Sequence, residues 1–110
     1  MKKFLFAALL ALSPMAAQAQ CGQASYYGPG LHGGVTANGE RFDQYDMTAA
    51  HPYLRLNSYV NVTHNGKTIR VKISDRGPYT GGRVLDLSYG AFAALANPGR
   101  GVIDVCLAKS

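Results

Sequence analysis

Acidic residues are scarce in this chain: one glutamate and five aspartates stand against eleven lysines and arginines. Cysteine is scarcer, with two residues, Cys21 and Cys106, far apart and in no Cys-x-x-Cys arrangement. That excludes a dithiol redox motif and a thiolate zinc cluster. Basic residues never form a run, so nucleic acid is a poor partner despite the positive balance. The only sustained apolar run, Phe4 to Leu12, is too short to span a bilayer, which needs about 20 residues. Internal repeats, low-complexity tracts and linkers are also missing, which leaves one small domain.

What is present begins with a leader. Lys2-Lys3 forms a basic n-region, Phe4 to Leu12 an apolar h-region, and Ala17-Gln18-Ala19 a small-x-small cleavage site. Residues 1–19 are therefore expected to be a signal peptide, with residues 20–110 as the mature, exported domain, periplasmic or secreted and without a transmembrane segment. Cys21 lies close to the cut, but Gln20 stands where lipid-modifying processing needs a small residue, so a soluble product is favoured over a lipoprotein. Without Lys2 and Lys3, nine basic residues face six acidic ones, a net charge of +3. That excess favours an anionic polymer outside the inner membrane. One cysteine near each end of an exported domain predicts a Cys21–Cys106 disulfide. A loop of this length would stabilise a small core by about 4–5 kcal/mol in the chain-entropy model.

Half of the six acids sit in one stretch, Thr36 to His51, which holds Glu40, Asp43 and Asp46. Asn38-Gly39 is a turn signal. Glu40 and Asp43 flank Phe42, and Met47 to Ala50 reads as a short strand ending at His51. A second acidic turn, Asp75-Arg76-Gly77-Pro78, lies downstream. The two segments are expected to meet and form the working site, with Glu40, Asp43, His51 and Asp75 on one face.

The rest of the chain reads as short strands. Ala24 to Tyr27 is the first, with Tyr26 and Tyr27 on opposite faces, so one belongs to the core and the other to a groove rim. Tyr59 to Thr63 and Thr68 to Ser74 flank an Asn65-Gly66 hairpin, with Ile69, Val71 and Ile73 on the buried face. His64 at that turn, and His32 in a glycine-rich loop, are read as surface residues. Arg83 to Leu87 is another strand. Ser88 caps a helix over Tyr89 to Ala96, stopped by Asn97-Pro98-Gly99. Gly101 to Ala108 closes the chain. The pattern is all-β with one short helix, and full pairing suggests a small closed barrel.

Five motifs, in order, resemble the RlpA-like (rare lipoprotein A) domain: Ala24-Ser25-Tyr26-Tyr27-Gly28; Thr36-Ala37-Asn38-Gly39-Glu40-x-Phe42-Asp43; Thr48-Ala49-Ala50-His51-Pro52; Val71-x-Ile73-x-Asp75-Arg76-Gly77-Pro78-Tyr79; and Arg83-Val84-Leu85-Asp86-Leu87-Ser88. The resemblance covers essentially all of residues 20–110. It implies a six-stranded double-psi β-barrel, a fold related to expansin and barwin domains. It also implies an exported endolytic lytic transglycosylase acting on peptidoglycan glycan strands. No cofactor is expected, no ligand spacing among His32, His51 and His64 supports a metal site, and the chain is expected to act as a monomer.

Such an enzyme must deliver a proton to the leaving oxygen, and a carboxylic acid does this at neutral pH only if its surroundings raise its pKa. Ordinary hydrolysis needs a second carboxylate. A lytic transglycosylase uses the sugar's own C6 hydroxyl as nucleophile and forms a 1,6-anhydro end, so one residue can serve as acid and then base. Asp75 is the candidate for that residue, surrounded by Glu40, Asp43 and His51. Tyr26, Tyr27, Arg76 and Tyr79 are expected to contact substrate, and Asp86 is assigned to structure as a partner of backbone amides. The alternative is an expansin-like module that binds carbohydrate in the same groove without turnover.

Overall fold

The computed structural model describes residues 20–110; the expected signal peptide, residues 1–19, lies outside them. Six strands close into a barrel: β1 (Gln20–Tyr26), β2 (Thr48–Ala50), β3 (Tyr59–His64), β4 (Lys67–Asp75), β5 (Arg83–Leu87) and β6 (Ile103–Lys109). Around the barrel they run β1-β5-β2-β4-β3-β6. The β1/β5 and β2/β4 pairs are parallel and the other four are antiparallel, the pairing of a double-psi barrel. Closure removes every free edge.

Alternation explains most of the interior. Val60 and Val62 of β3, Val71 and Ile73 of β4, Leu85 and Leu87 of β5, and Ile103, Val105 and Leu107 of β6 are all buried. The β3–β4 hairpin turns on Asn65 and Gly66, both at positive φ (48° and 80°), as a two-residue turn between twisted strands requires. The same alternation places His64 with Val60 and Val62, so the expectation of a surface histidine is corrected. His64 is 6% exposed, and its Nδ1 donates to the Asp104 carbonyl at 2.7 Å.

β1 is longer than expected because it pairs with β6 from Gln20 onward. Cys21 and Cys106 are directly opposed in that pair and form the disulfide. The helix, α1 (Tyr89–Leu95), starts where expected, with Ser88 Oγ accepting from the Ala91 amide at 3.1 Å. Its apolar side, Ala91, Phe92 and Leu95, closes one end of the core. Gly90 lies so close to the preceding loop that a methyl group there would sit 2.7 Å from the Tyr45 carbonyl oxygen. The Gly90 amide donates to Gln44 O at 2.8 Å, so the start of α1 fixes the loop that carries Asp43.

Candidate functional site

Two breaks in strand register decide which polar side chains leave the barrel wall. Along β2 and β4, Thr48 pairs with Lys72 and Ala49 with Ile73, but Ala50 pairs with Asp75. The extra residue, Ser74, is a bulge. Without it, Asp75 would share the inward parity of Val71 and Ile73; with it, Asp75 turns to the outer face beside Ala50. A second break between Gln23 and Ala24 sets Ser25 opposite Asp86. On its other edge β5 pairs Asp86 with Ala50. Asp75, Ala50 and Asp86 therefore form one row across three strands. Their outer sides carry two carboxylates with backbones about 10 Å apart, two strand spacings.

Asp75 is held on several sides. Its Oδ2 accepts from the Tyr27 hydroxyl at 2.9 Å. Its Oδ1 accepts from the Ala37 amide at 2.9 Å and from the Arg76 amide at 3.0 Å. Ala37 belongs to the loop read from sequence as the centre of the site, and the Asn38 amide docks on the carbonyl of the bulged Ser74 at 3.1 Å. The two acidic segments do meet. Tyr27 packs on Phe42 with ring centroids 4.8 Å apart, and with Ala50 they form a small apolar cluster under the loop. Burial, followed by the bond to Asp75, pushes the Tyr27 phenol far up, so it remains a proton-carrying donor. A pocket of about 70 Å³ opens above, lined by Tyr27, Thr36, Phe42 and Asp75, with exposed Leu31 and Val35 among its walls.

Asp86 was assigned to structure from sequence, and its side-chain partner is a hydroxyl in place of the expected amides. Its Oδ1 accepts from Ser25 Oγ at 2.8 Å, and Ser25 in turn accepts from Arg83 Nη1 at 2.7 Å. Burial raises the Asp86 carboxyl above the ordinary aspartate range and the charge of Asp75 adds to this, against the opposing pull of Ser25 and Arg83. The sequence signal was available in the alternation of β5, where Leu85 and Leu87 point inward and Asp86 must point out. What it lacked was the pairing that sets Asp86 beside Ala50.

The other expected site residues divide. Glu40 and Asp43 line an adjacent small depression that shares Thr36 and Phe42 with the Asp75 pocket. Glu40 is tied to Lys72 at 2.8 Å, which holds its carboxyl below the usual range. Asp43 Oδ1 accepts from the Tyr45 amide at 2.9 Å. His51 is not an exposed member of the acid set, because its ring is fully buried. Its Nδ1 accepts from the Tyr53 and Leu54 amides at 3.2 and 3.1 Å, so Nε2 carries the proton and donates to Gln20 Oε1 at 2.9 Å. Burial, then Arg76, lowers its pKa.

The expected division into one core and one rim tyrosine does not hold: Tyr26 is half-buried, packs on Phe92 against the main core and donates to the Pro98 carbonyl at 2.9 Å, and Tyr27 is the more buried of the pair. Arg76 directs Nη1 to the carbonyls of His51 and Leu54, which fixes the end of β2. Tyr79 is 77% exposed in the following turn. His32 is exposed, as expected, and its Nδ1 accepts from the Gln44 amide. Among the described residues no group of three His, Cys, Asp or Glu side chains could hold a metal ion.

Residues 19–107 match the model of the family described as lytic transglycolase. The chain belongs to the lytic transglycolase family. A relative in Synechocystis, named as a probable endolytic peptidoglycan transglycosylase RlpA, is 54% identical over 88 residues, which are 78% of this chain and 27% of the relative. The chain thus spans about a quarter of the length of that curated relative. Among solved structures, the Streptomyces papain inhibitor is 30% identical with a TM-score of 0.70, over 83% of this chain and 93% of the inhibitor. An expansin of Clavibacter michiganensis, solved with cellohexaose, is 23% identical with a TM-score of 0.67, over 84% of this chain and 50% of the expansin. The expansin likeness shows the barrel fold alone. On the outer face of that barrel the bulge-aimed Asp75 and its row-mate Asp86 place two carboxylates.

Proposed function

We propose that this domain is exported and cleaves the glycan strands of peptidoglycan as an endolytic lytic transglycosylase, leaving 1,6-anhydro-muramic acid ends. The observation that carries the reading is the Asp75 carboxylate in the wall of an open pocket, held by Tyr27, Ala37 and Arg76. In this reading Asp75 is protonated once the strand is bound and passes that proton to the glycosidic oxygen as the bond to C1 breaks. The C6 hydroxyl of the same sugar closes on C1, and its proton returns to Asp75. No water is consumed. Tyr27 orients the carboxylate, and Asp86 is the second titratable group of the site. In the same reading Glu40 and Asp43, which line the adjoining depression, meet the strand beyond the cleaved bond. The named activity of the relatives supports this assignment, and the disulfide supports export, since such bonds persist in oxidising compartments.

A second reading, a carbohydrate-binding module without turnover, is favoured by one feature: Glu40 and His51 are already engaged by Lys72 and Gln20. Mass spectrometry of soluble products from sacculi and from peptide-stripped strands separates the two. The enzyme reading expects 1,6-anhydro ends. Free reducing ends would mean a hydrolase, and no soluble product from either substrate would leave the binding module as the better account.

A further inference from the structure

Beside the loop that follows β2 lies a groove of about 300 Å³, lined by Tyr53, Leu54, Arg55, Ser58, Tyr59 and Lys109 among others. That volume is at the lower end for small-molecule sites, which run from about 300 Å³ upward. Tyr53 is 69% and Tyr59 41% exposed, an unusual display of aromatic surface. Arg70 lies 4.0 Å over the Tyr59 ring while its Nε donates to Ser110 Oγ at 2.8 Å, so this cation is fixed at the edge of the groove. Among the described residues no Asp or Glu side chain lines the groove. A free α-carboxylate on Ser110 would offset one of the three cations, Arg55, Arg70 and Lys109, and leave a positive edge.

The groove differs in charge from the Asp75 side of the barrel. There Asp75 and Asp86 share one row and Glu40 and Asp43 line the adjoining depression, but cations balance them: Lys72 pairs with Glu40, Arg41 lines the depression, and Arg83 reaches Asp86 through Ser25. The two places are rigidly connected. The Tyr53 ring stands edge-on to His51 at 4.6 Å, and the His51 amide donates to the Asp75 carbonyl at 3.1 Å. Arg76 binds the carbonyls of His51 and Leu54, and Asn38 Nδ2 donates to Asn57 Oδ1 at 3.0 Å.

We propose that the Tyr53–Arg55–Tyr59–Lys109 groove is a second glycan contact that takes a carboxylate-bearing sugar. The tyrosine rings receive the apolar face of the pyranose, and the cations receive its carboxylate. The proposal rests on the reading of the domain as peptidoglycan-processing. It gives a peptide-stripped strand, whose every second sugar carries a free lactyl carboxylate, a fixed register across the barrel, with one muramic acid at the Asp75 pocket and another, an even number of sugars along, in the groove.

The test is calorimetric binding of a peptide-free glycan tetramer with free lactyl carboxylates, of its methyl ester, and of a chitin tetramer. Wild type and Asp75→Asn are titrated alongside Tyr53→Ala and Arg55→Gln. Both of the latter positions are exposed, and circular dichroism checks that those variants fold. The carboxylated tetramer should bind roughly tenfold more tightly than the ester or the chitin tetramer, as expected for one charge-assisted contact. Arg55→Gln should erase that ratio, and Tyr53→Ala should weaken all three ligands. Equal binding of acid and ester, or a ratio that survives Arg55→Gln, overturns the proposal. If sacculi are cleaved but the ratio is absent, the groove fails and the enzyme reading stands. If the ratio is present and Arg55-dependent but no product forms, the enzyme reading fails and the groove stands.

Discussion

The regularly paired wall, with the β3–β4 hairpin, and the slipped region around β2 belong to one barrel and are built differently. In the hairpin, pairing runs unbroken from Tyr59↔Lys72 to His64↔Lys67, and every second residue of β3 is buried. Along β2 only three residues are in the strand, and register slips between Ala49 and Ala50 against β4. The unbroken pair contributes core and the slipped pair contributes chemistry. A bulge is the local device that lets one strand bury Ile73 and still present Asp75 to solvent two residues later. The wall can therefore be perturbed for stability and the slipped region for function, and the predictions test whether the two separate.

The largest effect expected is on turnover. Asp75→Asn keeps size and one acceptor oxygen for the Ala37 and Arg76 amides, turns the position facing Tyr27 into an NH2 donor that the hydroxyl can accept from, and removes the titratable proton, so product release should fall about 10²–10⁴-fold, the usual contribution of a positioned acid or base. The melting temperature should change little, because the wall is untouched. A variant that retains full activity would take Asp75 out of the mechanism.

Reduction of Cys21–Cys106 strikes the wall instead. The bond spans 85 residues, so the chain-entropy model gives a loss of about 4–5 kcal/mol. The cost for a domain of this size is a melting temperature lower by tens of degrees, at about 4–8 °C per kcal/mol. Calorimetry with and without reductant measures it. Product chemistry below the new melting point should be unchanged. Altered products would mean that wall and site are not separable.

A smaller effect tests the contact between helix and site loop. Gly90→Ala pushes a methyl group against the Tyr45 carbonyl and should cost about 1–3 kcal/mol as an overpacked contact. Because that loop continues into Asp43 and Phe42, activity should fall together with stability. Denaturant titration paired with product release reads both, and lost stability with full activity would disconnect the helix from the site.

The smallest effect concerns His51. Burial lowers its folded pKa, so as pH falls the unfolded chain takes up the proton first. The associated stability is present above the ordinary histidine value, about 6.5, and is lost as pH falls through the lowered folded value. Melting curves at pH 7 and pH 5 should show the loss in wild type, and His51→Gln should flatten that part of the difference. An unaltered pH dependence in the variant would assign the acid sensitivity elsewhere.

Regular elements were readable from their own residues. The bounds of β5, the Ser88 cap, the buried face of α1 and the Asn65-Gly66 turn depend on neighbours within a few positions, and the sequence displays them. The meeting of the Thr36–His51 stretch with the Asp75 turn was also readable, from motifs in order. His51, His64 and Asp86 were not, and for a common reason. Gln20 and Arg76 close the space around His51; Asp104, 40 positions away, accepts from His64; and Ala50 of β2 joins Asp86 to Asp75. A side chain's parity is local, but its partner across a slipped or parallel strand is set by the topology.

The central claim is that register slips bring Asp75 and Asp86 into one outward-facing site. Side-chain carboxyl resonances of Asp86, followed by NMR across acidic pH in wild type and in Asp75→Asn, test it most directly. The account predicts that Asp86 titrates above the ordinary aspartate range, and that neutralising position 75 moves its pKa downward, because the Asp75 charge helps to hold it up. An Asp86 that titrates as an ordinary aspartate and ignores the change at position 75 would contradict the shared site.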